Sequence, residues 1–386
     1  MVGRTNVGRM RDRAPAHAIM GFEWDFSNPS PVLVRLGNAA GLTATASIGT
    51  VAGHSDFDEM PIYKDIRRCN LRANGTVAAY EGEQNFTFTP PTGIDVMVEI
   101  PAFYYMVEND PVASRYRCFI SNQQSDGFAL HPAFNRPTGP VDKNYVAAYS
   151  TSAGNRSISG TLPLVSQRRS AFRTGARNKG AGWGIQDLAA RMAINMLMTI
   201  EFANLNLQAV IGAGNTGGVI VALAAGQTDS VVGSGRAAGT NPAVVSVVWR
   251  GSENLWGNHH EWVDGLNIDN GLFFVSTNPA HYADDTRANY TQLSFSTPTN
   301  IAAGVFATRY GFDPAAPWAN LPQGFSGGSE TTFLCDGAFA SIGWRAVSVG
   351  GGWGSHGFAG PFCWEWQFAS TLELASVGSR LMYIPQ

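Results

Sequence analysis

Charged residues are scarce in this chain of 386 residues. Asp, Glu, Lys and Arg together make up 14% of it, against roughly 25% in ordinary soluble domains. The net charge is only −3, so no strong field draws the chain as a whole to nucleic acid or to an anionic membrane. The basic cluster of Arg4, Arg9, Arg11 and Arg13 is more typical of a solvated tail or docking arm than of a phosphate site. We therefore expect no nucleic-acid partner.

Long apolar runs and a leader segment are also missing. The most apolar stretch, residues 185–200, is interrupted by Asp187, Arg191 and Asn195. These residues break the run of roughly 20 apolar residues that a membrane span needs. No apolar segment follows the basic first residues before Pro15, as it would in a secretory signal peptide. The sequence predicts synthesis in the cytoplasm and no membrane insertion.

Motifs that would indicate an enzyme or a structural metal are absent. The four cysteines are scattered without a CxxC spacing, which argues against structural zinc, and a disulfide framework is not expected in a reducing compartment. There is no GxSxG elbow and no P-loop. GAGNTG (residues 212–217) matches GxGxxG, but it follows a predicted helix, so no helix N-terminus would face a pyrophosphate. We expect no catalytic activity and no cofactor.

Two groups of polar side chains could in principle bind a cation. His259 and His260 are adjacent, so on a strand they point to opposite faces and form a poor zinc pair. Residues 264–271, DGLNIDNG, are rich in oxygen donors but do not match an EF-hand loop. Turn formation is the simpler interpretation of these Asp and Asn residues, and structural calcium is the alternative. The carboxylates considered are Asp264, Asp269, Asp284 and Asp285.

Glycine and aromatic residues are abundant and favour short strands joined by loops. The chain has 44 Gly, and 11% of it is aromatic. Residues 62–80 predict a hairpin that turns at Asn74-Gly75, and residues 96–107 predict one strand in which Pro101 marks an edge or a bulge. Apolar spacing from Ile185 onward predicts one long helix, which ends at the glycines of residues 212–214. Further strands are predicted over residues 116–121 and 144–150, and a flexible loop over residues 212–241.

The most informative segment is the last one, residues 342–385. It has a frame of Trp344, then Gly350-Gly351 and Trp353, then VGSRL at residues 377–381. This segment resembles the variable region of proteins diversified by retroelements, such as phage tropism determinants. Their C-type-lectin-like fold belongs to the branch that includes formylglycine-generating enzymes. GNHHEWV at residues 257–263 resembles a strand of the same branch.

The resemblance implies an α+β fold with a C-type-lectin-like C-terminal domain preceded by a β-rich region. It divides the chain into an attachment arm (1–60), a β-rich accessory domain (61–155) and a ligand-binding domain (156–386) with a variable region at about 345–380. Segments between residues 60 and 210 also resemble structural proteins of phages and prophages of gut bacteria. The last strand, SRLMYIP, is expected to pair near the start of the ligand-binding domain.

Between the framework residues lie the candidate ligand contacts. They are Gly354, Ser355, His356, Phe358, Cys363, Trp364, Glu365, Trp366, Gln367, Phe368, Thr371, Leu372, Glu373 and Leu374. FCWEWQF (residues 362–368) has two interpretations, a buried strand or a row of exposed aromatic anchors, and the resemblance favours the second. We then expect His356, Phe358, Trp364 and Trp366 to be exposed. The framework residues Trp344, Trp353, Ala359, Phe362, Ala369 and Leu381 are expected to pack inward.

The expected partners are a host cell-surface receptor, protein or glycan, and other virion or tail proteins, with the chain in the virion as a homotrimer. The EPN and WND motifs of calcium-dependent sugar binding are absent. Cys335 and Cys363 do not match the reactive cysteine pair of formylglycine-generating enzymes. The alternatives are a structural virion protein without a receptor and an enzyme on the related fold.

Overall fold

The computed structural model describes residues 15–218 and 221–386, and the chain is mostly β-sheet with few helices. Strands account for 36% of it and helices for 12%. The basic cluster of Arg4, Arg9, Arg11 and Arg13 lies outside the described residues. Within the described ranges, no helix combines the length and the apolar character needed to cross a membrane.

The helices are α1 (Arg169–Arg177), α2 (Leu188–Phe202) and α3 (Leu207–Val210). The strands before α1 are β1 (Ile19–Asp25), β2 (Val34–Gly37), β3 (Ala44–Thr45), β4 (Ser47–Ile48), β5 (His54–Ser55), β6 (Arg67–Arg72), β7 (Val77–Tyr80), β8 (Ile94–Pro101), β9 (Tyr104–Asp110), β10 (Arg115–Ser121), β11 (Ala129–Leu130), β12 (Asn135–Arg136), β13 (Gly139–Pro140) and β14 (Lys143–Ala147). The strands after α1 are β15 (Trp183–Ile185), β16 (Gly235–Arg236), β17 (Val247–Trp249), β18 (Ser252–Glu253), β19 (His260–Asp269), β20 (Leu272–Val275), β21 (Thr291–Ser296), β22 (Ile301–Phe306), β23 (Arg309–Tyr310), β24 (Pro322–Gly324), β25 (Gly337–Ala340), β26 (Trp344–Gly350), β27 (Gly360–Trp366), β28 (Val377–Ser379) and β29 (Leu381–Tyr383).

Most of the strands predicted before residue 150 are present. β6 and β7 form the predicted hairpin, and Gly75 in its turn has a positive φ of 82°. β10 and β14 lie where strands were predicted. The single strand predicted over residues 96–107 is wrong, because β8 ends at Pro101 and the chain joins another sheet as β9. A proline has no N–H to donate, which favours a strand end at that position.

The helix is present, but it is shorter than the apolar pattern predicts. α2 begins at Leu188, where the Asp187 carboxylate accepts a hydrogen bond from the Ala190 N–H at 2.8 Å. It ends at Phe202 because Ala203 turns left-handed, with φ 47°, and not at the glycines of residues 212–214. Ile185 lies in β15. α1 was not predicted, because its buried face includes two arginines that no apolar pattern reveals.

The largest sheet has the order β21–β20–β19–β26–β27–β25–β22, with β28 beside β19. A second sheet has the order β15–β29–β14–β8–β6–β7, and a third has the order β11–β9–β10–β1–β2. Every residue of α2 is buried in the core that these sheets share.

Sheets and core cross the predicted domain boundaries at residues 60 and 155. β29 pairs with both β14 and β15, which confirms that the last strand is part of a sheet and not a free tail. β4 pairs with β16 on the far side of both boundaries. One core cluster contains Trp24, Tyr63 and Trp256, so the three ranges do not have separate cores. Residues 15–60 therefore belong to the folded body.

The two segments that carry the family resemblance are neighbouring strands. β28 runs parallel to the first part of β19, with Val377 beside His260 and Ser379 beside Trp262. Directly after β28, the fully buried Arg380 guanidinium lies 2.8 Å from the Glu261 carboxylate. Arg380 also donates hydrogen bonds to the carbonyls of Ala147 and Glu253. The fold thus brings these distant segments together around one buried ion pair.

Candidate functional site

Residues 362–366 of FCWEWQF belong to a central core strand and not to a row of exposed anchors. Every residue of β27 is buried, and Trp364 and Trp366 are each only 1% exposed. The expectation that these two indoles face solvent is therefore wrong. In this conformation neither indole can contact a partner at the surface, and the same holds for Cys363 and Glu365.

The burial of β27 follows from its position in the sheet. It is paired in parallel with β25 on one edge and antiparallel with β26 on the other. On one face, the Trp366 ring packs edge-on against Phe273, with ring centroids 5.6 Å apart. On the other face, the Glu365 carboxylate accepts a hydrogen bond from the Ser348 hydroxyl. The aromatic residues of β27 thus lie on one covered face of the sheet, and the residues that alternate with them lie on the other covered face.

The predicted contacts outside β27 fall into two loops at opposite ends of that strand. The exposed ones are Gly354, His356, Thr371, Leu372 and Glu373, and the half-buried ones are Ser355, Phe358, Gln367, Phe368 and Leu374. Residues 354–358 precede the strand and residues 367–374 follow it. The fourteen predicted residues therefore do not form one continuous surface.

The loop before β27 is held by backbone and aromatic contacts. His356 is exposed, as predicted, has a positive φ of 46°, and its N–H donates to the Thr216 carbonyl. Phe358 is half-buried, because its ring stacks on Phe306 with centroids 4.5 Å apart and meets Phe339 edge-on. Phe358 therefore anchors this loop, and the prediction that it is substantially exposed is wrong.

The loop after β27 lies beside the β25–β26 connection. The Ser341 N–H donates to the Trp366 carbonyl, and the Ala346 N–H donates to the Phe368 carbonyl. Ile342 is 62% exposed and Leu372 is 39% exposed, so each of these two segments presents an apolar side chain to solvent. We call residues 341–345 and 367–374 together the loop-end surface.

Aromatic and charged side chains complete the loop-end surface. Trp344 is half-buried, and the Arg287 guanidinium lies 5.7 Å from its ring centroid. Glu373 forms an exposed ion pair with Arg168 at 3.0 Å. Such a mixture of exposed apolar, aromatic and polar groups is suited to binding another macromolecule.

Only some of the framework residues are buried as predicted. Ala359, Phe362 and Leu381 are buried, as predicted. Trp344, Trp353 and Ala369 are only half-buried, so the expectation that they pack fully inward is wrong. For Trp344 the reason is its position at the start of β26, at the edge of the loop-end surface.

The aspartates considered as calcium ligands are engaged by other side chains. Asp264 and Asp284 both lie within 2.7 Å of the Arg173 guanidinium, and Asp284 also contacts Arg169. Asp269 is paired with Arg287, and Asp285 accepts a hydrogen bond from Ser370. Within residues 15–218 and 221–386, no three His, Cys, Asp or Glu side chains are grouped as a metal site requires. Three of these four aspartates are therefore paired with arginines.

A cavity of about 480 Å³ lies beneath the C-terminal end of α1, away from all the predicted contacts. It is lined by Arg173 and Arg177 of α1, by Trp183 of β15 and by Tyr282. The Arg173 charge is balanced by Asp264 and Asp284. The sequence did not indicate this cavity.

Comparisons with known proteins assign no family: no protein-family model matches the chain, and no curated protein is similar to it.

Proposed function

We propose that this chain is a recognition protein of a bacteriophage or prophage particle, with a C-type-lectin-like ligand-binding domain in its C-terminal part. The resemblance of residues 254–268 and 342–385 supports the proposal. So does the packing of these two segments as adjacent strands joined by Glu261 and Arg380. Recognition requires no bond-breaking step and no cofactor.

The binding surface in this proposal is the loop-end surface, and exposed apolar side chains carry the argument. Ile342, in the connection between β25 and β26, and Leu372, in the loop after β27, are both solvent-exposed. Burying such side chains against a partner stabilises a complex, and central anchors are often worth about 2 kcal/mol or more. The partner is a host cell-surface receptor, and the rest of the chain attaches to other virion or tail proteins.

Cell binding tests this proposal directly. Fluorescently labelled protein is incubated with a panel of gut bacterial strains, and bound protein is measured by flow cytometry. The double variant Ile342→Asp/Leu372→Asp should bind the positive strain at least about 30-fold more weakly, since 2 kcal/mol corresponds to that factor. Val112→Asp is the matched control, because Val112 is 96% exposed on the distant β9–β10 turn. Equal binding by both variants would contradict the proposed surface.

The same assay distinguishes a protein receptor from a glycan receptor. Protease treatment of the cells should abolish binding to a protein receptor, and periodate oxidation should abolish binding to a glycan. If no strain binds the protein and antibodies to the loop-end surface fail to block phage adsorption, the alternative of a structural virion protein is favoured.

Diversification and assembly are separate parts of the proposal. A reverse-transcriptase gene beside the coding sequence, with a near-copy of the DNA for residues 345–380, would support a diversified surface. Light scattering should give three times the mass of the chain, because trimers multiply weak contacts by avidity. A monomer at micromolar concentration would contradict the trimer.

A further inference from the structure

Three polar side chains from separate segments meet beside β27: Ser355 in the loop before it, His260 at the start of β19, and Glu365 near the C-terminal end of β27. The Ser355 Oγ lies 3.5 Å from the His260 Nε2. The His260 Nδ1 lies 2.9 Å from the Glu365 Oε2. A hydroxyl, an imidazole and a carboxylate in this order are the parts of a nucleophilic triad, which is recognised by geometry and not by sequence position.

The imidazole and the carboxylate are buried and held from several sides. His260 is 8% exposed at the start of β19, and Glu365 is 4% exposed on β27. Ser348 and Gln367 both donate hydrogen bonds to the Glu365 carboxylate. Burial alone would raise the pKa of Glu365, but the neighbouring His260 and the hydrogen bonds from Gln367 and Ser348 hold it below its ordinary value. Glu365 is therefore an ionised carboxylate beside the His260 ring, at ion-pair distance but outside hydrogen-bonding geometry, so it acts on the ring through its charge.

The hydroxyl is the accessible member of the three. Ser355 is half-buried, and its neighbours Gly354 and His356 are exposed. The Gly352 N–H donates to the Ser355 Oγ at 2.9 Å. This bond uses an oxygen lone pair and leaves the hydroxyl proton free to be donated to His260 Nε2. A substrate can thus approach the oxygen while the carboxylate stays away from water.

We propose that Ser355 is a nucleophile that hydrolyses carboxylic esters, with His260 as its general base and Glu365 as a positioning residue. The Ser355 Oγ attacks the ester carbonyl while its proton moves to His260 Nε2. The carbon–oxygen bond to the alcohol then breaks, and His260 returns the proton to the leaving oxygen. Water enters by the same route and releases the carboxylic acid, which regenerates the hydroxyl. This activity is additional to recognition and departs from the expectation of no catalysis.

A fluorophosphonate probe tests the nucleophile, because serine displaces fluoride from its phosphorus. Intact-mass spectrometry of the full chain should show one adduct, and peptide mapping should place it on Ser355. Ser355→Ala and His260→Gln should remove the adduct with circular dichroism unchanged. Ser326→Ala is the matched control, since Ser326 is also in a loop and is exposed. Failure of the wild-type chain to react, or an adduct elsewhere, would overturn the proposal.

A thiol at the same position gives a second readout. The native cysteines Cys69, Cys118, Cys335 and Cys363 are all buried, so they add little background to alkylation. The variant Ser355→Cys should react with iodoacetamide at least about 10-fold faster than Ser326→Cys at neutral pH, because the His260 imidazole promotes the thiolate. Equal rates for the two thiols would overturn the role of His260 as a base.

The positioning role of Glu365 is tested by the pH profile of fluorophosphonate labelling. Titratable groups beside His260 include Glu365 on β27 and the adjacent His259. Glu365→Gln removes the negative charge beside the His260 ring, so the pH profile of labelling should change while circular dichroism stays the same. An unchanged profile would show that Glu365 is only structural.

Two variants distinguish a failure of the esterase proposal from a failure of the recognition proposal. Ser355→Ala should bind cells like the wild-type chain, because Ser355 lies at the other end of β27 from the loop-end surface. The double variant Ile342→Asp/Leu372→Asp should react with the fluorophosphonate like the wild-type chain.

Discussion

Replacing Trp366 by alanine tests whether β27 is a core strand. The indole is 1% exposed and packs edge-on against Phe273. A buried aromatic side chain of this size covers roughly 200 Å², which at about 25 cal/mol per Å² is worth about 5 kcal/mol. Core truncations of this kind cost about 3–5 kcal/mol. We expect Trp366→Ala to lower the free energy of unfolding by that amount.

Phenylalanine at the same position separates ring volume from hydrogen bonding. The Trp366 indole N–H is buried and has no acceptor among the described residues. A buried donor without a partner costs about 1–3 kcal/mol, which Trp366→Phe would recover. The smaller ring leaves a void that costs a similar amount. The net change for Trp366→Phe should therefore stay within about 1 kcal/mol.

Urea denaturation followed by far-ultraviolet circular dichroism is the appropriate assay, because these substitutions remove a fluorophore. Ile342→Ala is the control, since Ile342 is 62% exposed and its truncation should change stability by at most about 0.5 kcal/mol. A loss below about 1 kcal/mol for Trp366→Ala would refute the core assignment. The aromatic residues of β27 would then be candidates for contact with a partner again.

Three further predictions concern buried ionisable side chains. Glu261→Gln should cost about 3–5 kcal/mol in urea denaturation, because it leaves Arg380 buried without its partner; a loss below about 1 kcal/mol would contradict this. Burial lowers the pKa of His131 to about 3, so the unfolded chain binds a proton that the native chain excludes between pH 6.5 and 3. Native stability should fall as pH drops through that window, and His131→Gln should reduce the slope; equal slopes would refute this. EDTA should leave the melting temperature unchanged, because arginines already neutralise Asp264 and Asp284; a clear decrease would indicate a bound cation.

Features with local causes could be predicted from the sequence. The turn at Asn74-Gly75 needs a positive φ that glycine adopts without strain, and the hairpin of β6 and β7 is present there. The apolar spacing after Ile185 indicated α2, although Ala203 and not a glycine ends it. The pairing of the last strand followed from the family resemblance, and β29 is indeed paired. In the first two cases the deciding interactions lie within a short stretch, whereas β29 pairs with strands far earlier in the chain.

Only the tertiary structure shows which residues of the candidate site are buried and which of them meet. In FCWEWQF, aromatic residues alternate with polar ones, and this pattern is the same for a strand that is covered on both faces and one that is open on one face. Only the pairing of β27 with both β25 and β26, and the contact with Phe273, shows that its faces are covered. The meeting of Ser355, His260 and Glu365 was equally invisible, because the three residues lie in segments that only the folded sheet brings together. Periodicity reports which side chains share a face, whereas burial depends on what the rest of the chain places against that face.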